Sequence, residues 1–146
     1  MKIYNCYFDG SCEPKNPNGN MGWGVYITSE DKEFKKSRFY KAKIGNTCNI
    51  AEYLALIMIF KLMKNKIGVR INIYGDSKLV IMQTLELWKI KKGLYIPYAH
   101  QAIELYRALR KKNIITLQWI PRKENSIADE LSKSKNTDTG VVNNNY

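Results

Sequence analysis

From Ile50 to Phe60 every residue except Glu52 is apolar. Extended to about Lys64, the stretch has the length of a helix that is apolar almost all round. Such a helix must be covered on more than one side, so it belongs between layers of a folded domain. Its uninterrupted part, Tyr53 to Phe60, is far short of the ~20 apolar residues a bilayer span requires. The first residues, Met1 to Cys6, carry neither the apolar core nor the cleavage site of a signal peptide. A cytoplasmic protein is expected, with no membrane partner. Cys6, Cys12 and Cys48 are odd in number and lack C-x-x-C spacing, so they read as reduced thiols and not as zinc ligands.

The segments around that helix have strand character. Residues 2–9 are apolar on nearly both faces, as a central strand should be. Turn residues fill Glu13 to Asn20, and two further strands follow at Gly22–Thr28 and Glu33–Ile44, consistent with an antiparallel meander. After the helix, Val69–Tyr74 alternates as a strand and a short helix starts at Ser77. Pro97 opens another helix, Ile114–Ile120 forms a fifth strand, and a last helix spans Asn125 to about Ser134. The expectation is one mixed α/β domain over residues 1–135, with a polar, flexible tail at 136–146.

Charge narrows the partner. Twenty-four Lys+Arg against 13 Asp+Glu leave a net charge of +11 that both halves share. A distributed surplus fits a polyanion such as nucleic acid or an anionic membrane, with a solubility charge or a lysine-rich genome bias as the plainer alternative. Against that background four acids are conspicuous. Asp9 ends the first strand and opens the Gly10-Ser11 turn. Glu52 is the one charge between Asn49 and Phe60. Asp76 follows the Val69–Tyr74 strand and a glycine, and Asp129 lies in the last helix.

Each acid has a local structural explanation. Asp9 can close an Asx turn, Glu52 can be the capping partner of Asn49, Asp76 can cap the helix at Ser77, and Asp129 can be a solvated helix acid. Jointly these explanations weaken. If the strands ending at Asp9 and Asp76 are parallel neighbours, both acids emerge at the carboxyl edge, where α/β sheets hold ligands. Two like charges ~4 Å apart repel by about 4 kcal/mol at an effective dielectric of 20. A cluster of four either takes up protons or binds hard cations, and oxygen-only ligands favour Mg²⁺ or Mn²⁺.

The residues at these positions carry a family resemblance. In order, Tyr7-Phe8-Asp9-Gly10-Ser11-Cys12, Asn16-Pro17, Gly22-Trp23-Gly24, Asn49 to Glu52, Gly75-Asp76-Ser77 and Trp119 to Asp129 resemble type 1 ribonuclease H over residues 2–134. The resemblance implies a ribonuclease H-like fold: a five-stranded mixed sheet, three antiparallel strands followed by parallel additions, with helices on both faces. It implies cleavage of the RNA strand of RNA–DNA hybrids by a two-metal-ion mechanism, with Mg²⁺ in the site, leaving 3′-hydroxyl and 5′-phosphate ends. Asp9 would then bridge two ions, Glu52 and Asp76 would serve the leaving-group side, and Asp129 would serve the side that activates water.

Substrate contacts follow from the same resemblance. Asn16, Thr47 and Asn49 match groove-facing positions, and Lys78 a phosphate-contact position; a turn role for Asn16 and a solvated role for Lys78 stay open. The family's loop histidine has no counterpart. Arg122 stands in that loop, and His100, the only histidine, lies far away in sequence and reads as a helix-surface residue. An arginine there can hold phosphate or help product leave, but it cannot act as an ordinary base. Trp88, Lys89, Lys91, Lys92 and Tyr95 make a basic, aromatic connector that suits a grip on the DNA strand, or serves simply as a linker. A silent nucleic-acid-binding module is the rival from another class, and the intact acidic quartet argues against it. A recombinase core would need additional DNA-binding domains, and a reverse-transcriptase-derived domain is disfavoured by a Met1 just before the first strand. A monomer is expected.

Overall fold

The computed structural model describes residues 1–140. The chain forms β1 (Ile3–Glu13), β2 (Asn20–Ser29), β3 (Lys32–Tyr40), α1 (Cys48–Met63), β4 (Arg70–Gly75), α2 (Lys78–Thr84), α3 (Ile96–Arg110), β5 (Ile114–Trp119), α4 (Ser126–Ser132) and β6 (Thr137–Gly140). These strands make one sheet in the order β5-β4-β1-β2-β3-β6. β1 pairs in parallel with β4, and β4 with β5; the meander β1-β2-β3 and the added β6 are antiparallel.

The period-2 pattern of the strands decides which side faces the core. Tyr4, Cys6 and Phe8 of β1, Val25 and Ile27 of β2, and Ile71 and Ile73 of β4 are buried on one face. α1 lies on that face and α3 covers α1, which explains why α1 has no polar side. Tyr53 stacks on Tyr95 with ring centroids 5.9 Å apart, and the Tyr53 hydroxyl donates to Gln83 Oε1 at 2.5 Å. Burying a side chain the size of Leu56 or Phe60 contributes about 1.5–3 kcal/mol, and both are essentially inaccessible. α4 covers the opposite face, over β1 and β2.

Two expectations need correction. β1 does not end at Asp9, and Gly10-Ser11 is not a turn. β4 stops pairing at Gly75 opposite Phe8, but β2 keeps pairing with β1 as far as Glu13. Asp9 is therefore a mid-strand residue that lies at the edge only with respect to β4. The sheet also has six strands instead of five. Thr137–Gly140, expected as part of a flexible tail, pairs with β3, while residues 141–146 lie outside the described residues. An edge strand exposes unpaired backbone groups that any extended segment can satisfy. Here Asp138 also bonds Lys36 and Arg38 at 2.8 and 2.9 Å. A strand of Thr, Asp, Thr and Gly, without apolar alternation, leaves no periodic trace. Among the described residues no helix is long and apolar enough to cross a membrane.

Candidate active site

The four acids line a single open pocket of about 400 Å³ at the carboxyl edge of β4 and β5. Three of them form its floor. Asp9, Glu52 and Asp76 each present a carboxylate oxygen within 4.8 Å of the other two. Asp9 is 5% exposed, while Glu52 and Asp76 are half-buried.

Close backbone packing makes this convergence possible. A Cβ on Gly10 would lie 2.3 Å from the Glu52 nitrogen, so only glycine lets the start of α1 press on β1. On the other face a Cβ on Gly24, the β-partner of Asp9, would meet Leu131 Cβ at 2.5 Å and the Ser132 nitrogen at 2.8 Å. α4 thus descends onto β2 directly beside Asp9. Asn125 anchors its start by donating from Nδ2 to the Phe8 carbonyl at 2.9 Å. The Ser132 hydroxyl donates to the Asp129 carbonyl at 2.7 Å and lies 3.4 Å from Asp9 Oδ2.

The local explanations available to the acids are taken by other residues. Thr47, not Asn49, caps α1: its Oγ1 accepts from the Ile50 nitrogen at 3.1 Å. Glu52 therefore sits beyond the capping position. Ser77, not Asp76, caps α2, accepting from the Val80 nitrogen at 3.4 Å. Released from capping, Glu52 and Asp76 both point into the pocket.

Crowding sets their protonation. Burial, then the Asp76 charge and the Asp129 carboxyl, push Asp9 up to about 9. Burial, reinforced by the Asp76 charge against the opposing Ser77 hydroxyl, raises Glu52 to about 7. Asp76 is also raised, chiefly by burial. Without a cation Asp9 holds a proton at neutral pH and Glu52 is part-protonated. All-oxygen donors at this spacing match a hard divalent cation, whose charge would reverse those shifts.

Asp129 is held differently. Its Oδ1 accepts from Arg122 Nη2 at 3.2 Å and lies 3.6 Å from Lys133 Nζ, which is also 3.7 Å from Glu13. Trp119 lines the same pocket, its indole N–H donating to the Asp76 carbonyl at 3.2 Å. Gly24 and Asn125 belong to the motifs that carry the resemblance, but Lys133 and Ser132 carry no motif of their own. The i,i+4 spacing of Asp129 and Lys133 on a helix was the signal available for one of them.

The remaining candidates are distributed more widely. Asn16 lies in the 14–19 turn and its Oδ1 accepts from the Cys48 nitrogen at 3.2 Å, which puts it beside Thr47 at the start of α1. Asn49 is half-buried on the first turn of α1, and Lys78 is exposed at the start of α2. His100 lies apart from the acids, in a groove with Glu86, Trp88 and Arg107. In the basic connector Trp88 is 43% exposed and Lys89, Lys91 and Lys92 are exposed. Tyr95 is not available for stacking on a ligand. It is buried against Tyr53, and its hydroxyl accepts from Gln83 Nε2 at 3.2 Å.

Similarity to known proteins points the same way. The chain is 30% identical over 117 residues to the bifunctional protein Rv2228c of Mycobacterium tuberculosis, covering 80% of this chain and 31% of that protein. It thus spans about a third of the length of the curated relatives it matches. Among solved structures, the N-terminal RNase H domain of Rv2228c superposes with a TM-score of 0.69 at 28% identity, over 90% of this chain and 91% of that one. RNase H1 from Halobacterium salinarum gives 0.70 at 27%, over 89% and 94%. LC11-RNase H1, crystallised with an RNA/DNA hybrid, shares the fold with a TM-score of 0.72 at 23% identity, over 90% and 95%. The sequence model of RNase H matches residues 1–137, and the chain belongs to the RNase H family.

Proposed function

We propose that this protein hydrolyses the RNA strand of RNA–DNA hybrids in a divalent-metal-dependent reaction, leaving 3′-hydroxyl and 5′-phosphate ends. The observation that carries the reading is the approach of Asp9, Glu52 and Asp76 to within 4.8 Å, with the caps of α1 and α2 supplied by Thr47 and Ser77. A structural role would not crowd three carboxylates until all three are raised above their usual range. Membership of the RNase H family supports the choice of reaction.

Mg²⁺, or Mn²⁺ in its place, fits the donor set, and two ions with substrate bound would supply the positive charge that stabilises the attacking and leaving oxygens. Asp9, Glu52 and Asp76 would hold the ions, with Asp129 serving the side that activates water. Arg122, permanently charged beside Asp129, binds a phosphate of the cleaved strand and is no base. Thr47 accepts from Ile50 as a cap, so its hydroxyl hydrogen stays free to donate to a phosphate or a ribose oxygen. Asn16 and Asn49 line the approach from the same end of α1, and Lys78 adds charge at the start of α2. The single sheet, with β6 at its edge, serves as the catalytic domain of a monomeric, cytoplasmic enzyme.

The test incubates the protein with end-labelled RNA–DNA, RNA–RNA and DNA–DNA duplexes in Mg²⁺, Mn²⁺ or EDTA, with Asp9→Asn as control. Cleavage confined to the RNA of the hybrid, lost in EDTA and in Asp9→Asn, is expected. Cleavage that survives either treatment, or an intact hybrid, overturns the reading.

A further inference from the structure

Both cations that hold Asp129 converge on one oxygen, but they do so on different terms. Arg122 makes a hydrogen bond at 3.2 Å. Lys133, four residues beyond Asp129 at the C-cap of α4, stands at 3.6 Å, outside hydrogen-bond range, and at 3.7 Å from Glu13 at the end of β1. Its ammonium therefore sits between two carboxylates and needs only a small swing of a flexible stem to move from one to the other.

We infer that Lys133 is a positioning residue, an internal counter-ion that occupies Asp129 in the metal-free protein and yields to Glu13 when a divalent cation takes that carboxylate. The inference rests on the metal-site reading above. An ammonium and a hard cation compete for the same oxygens, and their like charges disfavour both being present at one carboxylate. A partner already in place at Glu13 lowers the cost of giving way. Lys133 then sets how much divalent ion the substrate-free protein needs, while Arg122, with its directional bond, stays available for phosphate.

Calorimetric titration of the substrate-free protein with Mg²⁺ and with Mn²⁺ tests this. Lys133→Met is expected to bind the ion about two- to fivefold more tightly than wild type, the range of a partly exposed ion pair. Lys133→Arg should restore wild-type affinity. Lys135→Met removes the same charge two residues on and should leave affinity unchanged. Thermal unfolding in EDTA checks that each variant is folded. Affinity in Lys133→Met that is unchanged or weaker overturns the inference, as does an equal gain in Lys135→Met, which would mark a general charge effect. If wild type shows no binding that Asp9→Asn abolishes, the metal-site reading itself falls.

Discussion

The two halves of the acidic pocket are built by different physics. Asp9, Glu52 and Asp76 are positioned by packing: a glycine admits α1, a parallel strand stops one residue short of Asp76, and burial forces the acids to share protons. Asp129 is positioned by charge, on a two-turn helix whose acid is held by Arg122 and Lys133 near the surface. The first half is crowded, with all three of its acids raised above their usual range. The second is adjustable, because partly exposed ion pairs are worth at most about 1 kcal/mol and are easily exchanged. A site of this kind keeps one side fixed and lets the other respond to cations and phosphates.

The sharpest break of that contrast is Asp9→Asn. Activity should fall at least about a thousandfold, as expected for removing a charge at the centre of the transition-state field. Metal-free stability should move the opposite way. Asp9 and Glu52 have folded pKa values raised to about 9 and about 7. Groups raised in this sense stabilise the fold below their unfolded values, near 4, and lose that contribution as pH rises through the folded ones. Unfolding in EDTA should therefore show wild type weakening between about pH 4 and pH 9, with Asp9→Asn more stable at pH 8 by about 1–3 kcal/mol. A variant less stable than wild type at pH 8 would mean the trio is not strained.

Gly10→Ala attacks the packing directly. A methyl 2.3 Å from the Glu52 nitrogen must displace α1, at about 2–4 kcal/mol in denaturant unfolding. Divalent-ion affinity should fall with it, whereas an equally destabilising change remote from the site should leave affinity intact. On the adjustable side, Arg122→Ala is expected to lower kcat about tenfold without weakening divalent-ion binding. Unchanged steady-state rates would remove Arg122 from the reaction. The smallest effect concerns the connector. Neutralising Lys89, Lys91 and Lys92 together should reduce the log–log salt slope of hybrid binding by about 1–2. An unaltered slope would make that segment a linker.

Much of this site was legible in the residues because its chemistry is local. A single acid inside an apolar helix and acids beside apolar strand segments need an explanation whatever the fold. The capping assignments failed for a physical reason: Asn49 and Asp76 are good cap residues, but Thr47 and Ser77 lie closer to where the helices begin once tertiary packing sets their ends. Tyr95 looked like a stacking residue because aromatic side chains suit both a core and a ligand, and only its contact with Tyr53 decides between them.

The amino-acid sequence by itself determined the element order, the buried character of α1 and the four acids, since periodicity and composition act within a few residues of one another. The folded chain alone decided that β1 runs past Asp9, that β6 closes the edge at β3, and that Lys133 stands between Asp129 and Glu13. Those features join residues distant along the chain, and their energies come from pairing and packing partners that no local pattern encodes.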